Sequence, residues 1–200
     1  MRGCASELGK YLGPQYEITG TIMPGSRLQN ITKLAKNEVA GLSNGDAVII
    51  CGGCNDVNHN KTMKGLKYLN DFVNQRSNTN ILIVTAPYRH DLLITSCINN
   101  EVQLFNRKLH NIMKNKDNVR ILDQEMNRED FMQHGLHLNA TGKDKVVKLM
   151  SQNISHLFEF SKKQPIILKW RTTHSDPSLV NNAPNVINED QVIIDNKGGI

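Results

Sequence analysis

The sequence lacks any long apolar run. None of its 200 residues belongs to an apolar stretch of the roughly 20 residues that a membrane span requires. The first residues, Met1–Glu7, have no continuous apolar segment of the kind that a secretory signal carries. Cysteine is scarce, and four in a chain of this length do not make a disulfide scaffold. These absences argue against a membrane protein and predict an intracellular, cytoplasmic protein with reduced thiols.

Aromatic residues and charge are also modest. Aromatic side chains make up 5% of the chain, and the net charge is +5 from 24 Lys+Arg against 19 Asp+Glu. This excess permits an acidic partner such as RNA without requiring one. Hydrophobic residues make up 38%, which together with 14 glycines allows a packed core and excludes wholesale disorder.

Short apolar runs alternate with amphipathic segments over the first four-fifths of the chain. The runs predict four strands: Tyr16–Met23, Ala47–Cys51, Ile81–Ala86 and Val119–Asp123. The amphipathic segments predict five helices: Met1–Leu12, one opened by a Ser26/Gln29 capping box, one around Leu66–Val73, Ile98–Ile112 and Asn139–Phe160. This order predicts an α/β fold, a flavodoxin-like three-layer α/β/α sandwich with a parallel sheet.

The composition changes near residue 160. Pro165 breaks the last helical pattern, and the residues that follow are rich in Asn, Asp, Pro, Ser and Thr. The sequence therefore predicts one domain over residues 1–160 and an irregular extension over 161–200.

Polar and glycine-rich segments follow the predicted strands. They are Met23–Ser26, Gly52–Asp56, Tyr88–Asp91 and His134–Asn139. Ligands of open parallel sheets bind outside the carboxyl ends of the strands. The four segments are therefore expected to meet around one site.

Three of these segments carry a family resemblance. The segment Gly53–Asp56 resembles the G-x-N-D block of the SGNH (GDSL-type) hydrolases, Gly25 is similar to their oxyanion glycine, and His137 matches the histidine of their D-x-x-H block. More narrowly, His134–Asn139 (HGLHLN) resembles the esterase-like domains of insect retroelement-derived proteins. The resemblance covers roughly residues 1–160 and implies hydrolysis of carboxylic esters without a metal or an organic cofactor.

The resemblance also implies roles for single residues. Gly25 and Asn55 would donate hydrogen bonds to the oxyanion that forms during acyl transfer, and His137 would act as general base and acid. Gly53, Asp56 and His134 would support them.

The sequence departs from the family pattern in two ways. No Gly-Asp-Ser block and no first strand precede the first helix, and Ser6 falls inside that helix, so no nucleophile is assigned. His134 stands where the family has aspartate, which leaves Asp130 or Asp123 as possible partners of His137. We therefore expect the chain to be inactive or severely impaired, as a pseudoenzyme or as a fragment of a longer product.

Other interpretations remain open at this stage. The same fold can serve as a non-enzymatic domain that binds nucleic acid or protein, with RNA on the basic helix faces. Those faces carry Lys108, Lys114, Lys116, Lys143, Lys145 and Lys148. Gly53 and Asn55 also suit simple turns. The pair Cys51 and Cys54 has C-x-x-C spacing, typical of redox or zinc sites, whereas Cys4 and Cys97 are predicted to be buried in helices.

Overall fold

The computed structural model describes residues 3–159 of the chain. In chain order the elements are α1 (Cys4–Leu12), α2 (Leu28–Glu38), β1 (Ala47–Cys51), α3 (Cys54–Asn58), α4 (Thr62–Asn74), β2 (Asn80–Val84), α5 (Cys97–Met113), β3 (Val119–Leu122), a 3-10 turn (Arg128–Asp130) and α6 (Ala140–Glu159). The chain divides into a unit Met1–Phe158 and a unit Glu159–Ile200. The extension predicted for residues 161–200 lies outside the described residues. No helix in the described part has both the length and the hydropathy of a membrane span.

The three strands form one parallel sheet in the order β1-β2-β3. Val48 pairs with Ile81, which pairs in turn with Val119. Parallel neighbours need a crossover, and the helices between consecutive strands provide it. The predicted strands at Ala47–Cys51, Ile81–Ala86 and Val119–Asp123 are confirmed to within two residues at each end.

Apolar side chains alternate between the two faces of the sheet because successive residues of a strand point in opposite directions. Ile81 and Ile83 belong to one core cluster, together with residues of α2, α4 and α5. Leu82 and Val84 belong to a second cluster, together with residues of α1 and α6. The sheet therefore lies between two helical layers, and the predicted three-layer α/β/α sandwich is confirmed.

The strand predicted at Tyr16–Met23 is wrong. Residues 17–23 are irregular, and most of them are exposed. The segment pairs with no strand in the described part of the chain, and its Thr21 hydroxyl contacts the Glu38 carboxylate of α2 instead. Because β1 pairs only with β2 in the described part of the chain, it is an edge strand of the sheet. Only Ile50 of its five residues is fully buried, although the run predicts burial on both faces.

Gly53 allows α3 to lie against α5. Its φ of +105° is one that residues with a side chain rarely adopt, and a Cβ atom here would lie 2.5 Å from Cζ of Phe105. Phe105 is 1% exposed and has no room to yield. A backbone without a side chain is therefore required at this point.

We predict that Gly53→Ala destabilises the fold by at least about 2 kcal/mol, because backbone strain and overpacking each cost about 1–3 kcal/mol. Urea unfolding followed by circular dichroism measures the change. Gly41→Ala is the matched control, since its Cβ meets nothing within 4 Å. Equal stability of the two variants would contradict the packing described for Gly53.

Candidate active site

Asn55 and the Gly25 turn are joined by a direct contact. The side-chain amide of Asn55, in the first turn of α3, donates to the carbonyl oxygen of Ser26 at 3.0 Å. This amide has a second N–H, for which the described residues provide no acceptor. The Asn55 side chain thus fixes the turn before α2 to the carboxyl end of β1 and retains one donor for a ligand.

Gly25 presents an unpaired backbone donor beside Asn55. It is exposed, with φ +69° and nothing within 4 Å of a Cβ position. Its N–H meets no acceptor within residues 3–159, whereas the next N–H, that of Ser26, donates to Met23 O at 3.2 Å. Two donors from distant parts of the sequence therefore lie near each other at this edge of the sheet.

Asp56 caps α2 from a distance of 28 residues. It is 2% exposed, and its Oδ2 accepts from the backbone N–H of Leu28 at 2.9 Å. The predicted Ser26/Gln29 capping box is wrong, because Arg27 occupies the N-cap position without a side-chain bond. Burial raises the pKa of Asp56 above its ordinary value, although the Leu28 N–H and Arg27 act in the opposite direction.

His137 lies on a narrow hairpin after β3. Its carbonyl accepts from Met132 N at 2.7 Å, and Phe131 and Leu138 form an antiparallel bridge. The His137 ring is exposed and stands edge-on to the His134 ring, with centroids 5.2 Å apart. It has no hydrogen bond or ion pair within the described residues. His134 is exposed as well, and its Nδ1 accepts from Leu136 N at 3.1 Å.

The two carboxylates suggested as partners of His137 are engaged elsewhere. Asp130 is fully buried and pairs with Lys145 Nζ at 2.7 Å. Burial raises the pKa of Asp130, but Lys145 and the Asn127 N–H outweigh it and hold that pKa below its ordinary value. Asp123 contacts Nε2 of His110 at 2.9 Å. Neither carboxylate orients the His137 ring in this structure.

Arg89 connects the loop after β2 to the end of α3. Its Nε donates to Asp91 Oδ1 at 2.7 Å, and its Nη1 donates to Asn58 Oδ1, at the end of α3, at 3.2 Å. The guanidinium holds the pKa of Asp91 below its ordinary range, with a smaller effect from His134. The sequence indicated Arg89 and Asp91 only by their position after a strand, and nothing in their spacing predicted this pairing.

The loop of His137 is bonded to the same group of loops. His90 N donates to Gly135 O at 3.0 Å. A continuous series of contacts therefore leads from Gly25 through Asn55, α3 and Arg89 to the hairpin of His137. The Asn55 side chain contacts Ser26, the residue after Gly25, whereas the His137 ring contacts neither Asn55 nor Gly25 within the described residues.

The C-x-x-C pair does not form a reactive thiol site. Burial raises the pKa of Cys51 to about 12, with the Cys4 thiol adding to the effect, and burial also raises the pKa of Cys54. A thiolate is therefore disfavoured at both positions. Cys4 is buried as predicted, but Cys97 is exposed, because it opens α5 on the outside of the helix.

No protein-family model and no curated protein sequence matches this chain. Several solved structures, in contrast, match it. The acetylxylan esterase Axe2 from Geobacillus stearothermophilus is 14% identical with a TM-score of 0.57, covering 75% of this chain and 78% of its own. The chain shares the fold of this structure.

Two further structures support this likeness. A proposed platelet activating factor from Streptococcus pneumonia has a TM-score of 0.57 at 15% identity, over 76% of this chain and 80% of its own. A carbohydrate esterase of family 3 from Talaromyces cellulolyticus has a TM-score of 0.50 at 16% identity, over 74% of this chain and 78% of its own. Likeness at such low identity shows a shared fold, in agreement with the resemblance to the SGNH hydrolases.

We predict that Asp56→Ala destabilises the fold by about 1–3 kcal/mol, because the buried N–H of Leu28 then has no acceptor. Asp56→Asn retains an acceptor and is expected to cost less.

Since the folded state raises the pKa of Asp56, the wild type should lose stability relative to Asp56→Asn as the pH rises above 3.8, the ordinary value. Urea unfolding at several pH values measures this. An Asp56→Ala variant as stable as the wild type would contradict the capping role.

Proposed function

We propose that residues 1–160 form an SGNH-type esterase-like domain, with Gly25 and Asn55 as oxyanion donors and His137 as the base. The observation that carries this proposal is the contact between Asn55 and Ser26, at the edge of the sheet that also carries His137. An oxyanion needs donors held in place before the reaction. The Gly25 N–H and the second Asn55 N–H are two unpaired donors of this kind.

We further propose that the chain by itself does not hydrolyse esters. Ser6 is exposed on α1, inside a helix, and no serine hydroxyl contacts the His137 ring within the described residues. The ring also has no carboxylate partner there to stabilise an imidazolium. Donors and a base without a nucleophile bind a carboxylic ester or its acid but do not cleave it.

The RNA-binding alternative finds less support in the charges. Two of the six lysines suggested for it pair with carboxylates, Lys145 with Asp130 and Lys148 with Asp144. Lys108 and Lys116 contact the uncharged side chains of Met63 and Asn74. The retroelement likeness and the intracellular location remain predictions. If RNA binding exists, its affinity should weaken with added salt.

We predict that the chain and its His137→Ala variant hydrolyse p-nitrophenyl acetate at the same background rate, because no nucleophile is positioned. Release of p-nitrophenolate, followed by absorbance, measures this. His110→Ala is the matched control, since the His110 ring pairs with Asp123 and does not contact the His137 ring in the described residues. Hydrolysis above background that disappears in His137→Ala alone would contradict the proposed inactivity.

A longer natural chain gives the converse test. Where the reading frame upstream of Met1 encodes Gly-Asp-Ser, the extended protein should hydrolyse the ester, and His137→Ala should lower its rate by about 10²–10⁴-fold. An extended protein that hydrolyses the ester equally well without His137 would overturn the assignment of the base.

A further inference from the structure

Five exposed aliphatic side chains lie on the two loops nearest His137. Leu92, Leu93 and Ile94 are 37%, 79% and 66% exposed, and Met132 and Leu136 are 49% and 40% exposed. They are five of the eight large hydrophobic side chains that are exposed within residues 3–159. We call these five residues the aliphatic rim. Such a concentration of exposed apolar surface marks a binding region more often than scattered single residues do.

The two loops of the aliphatic rim are bound to each other. The backbone N–H of His90 donates to Gly135 O at 3.0 Å. Gly135 has φ +76°, and a Cβ there would lie 2.5 Å from the carbonyl carbon of His90, so the two backbones touch. The His90 ring also packs on Phe131, with centroids 4.6 Å apart. Leu136 directly follows Gly135 and Leu92 lies two residues after His90, so the His90–Gly135 contact holds the two sides of the rim close together.

The loop that carries Leu92, Leu93 and Ile94 is held from beneath by Asn99. This side chain is 1% exposed, and its Oδ1 accepts from Arg89 N at 2.8 Å. Its Nδ2 donates to Arg89 O at 3.0 Å and to Leu93 O at 2.9 Å. A buried amide with three bonds to one loop fixes the backbone of that loop. The aliphatic side chains are therefore presented outward by an ordered support.

The position and composition of the aliphatic rim indicate its ligand. Leu136 directly precedes His137, so the rim is continuous with the candidate active site. An apolar surface beside an ester site faces the hydrocarbon part of the ester.

We propose that the aliphatic rim binds the hydrocarbon chain of the acid portion of the ligand, so that the site takes medium-chain esters and their acids in preference to acetyl compounds. This proposal rests on the proposed function, which gives the position of the carboxyl group of the ligand. The carboxyl group lies at Gly25 and Asn55, and the chain extends over Leu136 toward Leu93 and Ile94.

The test is the affinity of the chain for acetate, hexanoate, octanoate and decanoate, measured by isothermal titration calorimetry. The affinity is expected to rise by about two- to fourfold for each added methylene, fourfold corresponding to full burial of that methylene. The double variant Leu93→Ser/Ile94→Ser should lose most of this dependence. Met63→Ser is the matched control, because Met63 is 58% exposed outside the rim.

The series separates this proposal from the proposed function. Asn55→Ala should weaken all four acids by a common factor, because it removes a donor to the carboxyl group, and should leave the dependence on chain length unchanged. If Asn55→Ala changes nothing while the dependence persists, the proposed oxyanion role fails and the aliphatic rim stands. If affinity is independent of chain length, or if the dependence survives in the double variant, the rim proposal is overturned.

Two further outcomes would also overturn it in favour of another occupant. Binding to phosphatidylcholine vesicles through Leu93 and Ile94, without binding of monomeric decanoate, would assign the aliphatic rim to a lipid surface. Self-association in light scattering that disappears in the double variant, again without decanoate binding, would assign it to a second copy of the chain.

Discussion

Backbone hydrogen bonds pair β1, β2 and β3 in parallel, with Cys51 opposite Val84 and Val84 opposite Leu122. Because the strands are parallel, the three connections that follow them all leave from the same end of the sheet, the one formed by the carboxyl ends of the strands. This constraint decides which parts of a long sequence can meet. It brings α3, the Arg89 loop and the His137 hairpin to one side of the sheet, and the Asn55–Ser26 bond adds the Gly25 turn.

Polar side chains, two of them buried, then connect those loops. Buried Asp56 binds the first turn of α2, buried Asn99 binds the loop that begins at Arg89, and half-buried Asn139 donates to the carbonyls of Glu129 and Phe131. Each of them pairs with backbone groups of a loop or of a helix end. The geometry of the candidate site thus depends on these supports as much as on the residues proposed to meet a ligand.

Much of the fold follows from local sequence patterns. The runs Ala47–Cys51 and Ile81–Ala86 are too short for helices and predict strands, and the spacing of Ile98–Ile112 predicts α5. The burial of the first run was not predictable in this way, because only Ile50 of β1 is fully buried. The Tyr16–Met23 segment has a strand-like composition, but a strand also needs a neighbouring strand to pair with. Whether such a neighbour is present cannot be predicted from the residues of the segment itself. The same holds for the cap of α2, which comes from Asp56 although Ser26 and Gln29 have the correct local spacing.

The segments that carry Gly25, Asn55 and His137 each follow a predicted strand, and from this we predicted that they lie together. Hydrogen bonds join these segments in series, although no strand precedes Gly25 within the described residues. The roles of the three residues stay predictions. The partners of Asp130, Asp123 and Arg89 were not predictable, because ion pairs between distant segments depend on the final packing of loops and helices.

Paramagnetic relaxation measured by NMR tests the convergence of the loops most directly. A nitroxide is attached at His137→Cys in a Cys97→Ser background, which removes the exposed native thiol. The backbone amides of Gly25, Asn55 and Asp91 should then lose intensity. The amides of Asn44 and Asn118, before the strands begin, should lose much less intensity, because a five-residue strand separates the two ends of the sheet by about 16 Å and the broadening falls steeply with distance. Full intensity at Gly25 and Asn55, with broadening at Asn44 and Asn118, would contradict the account.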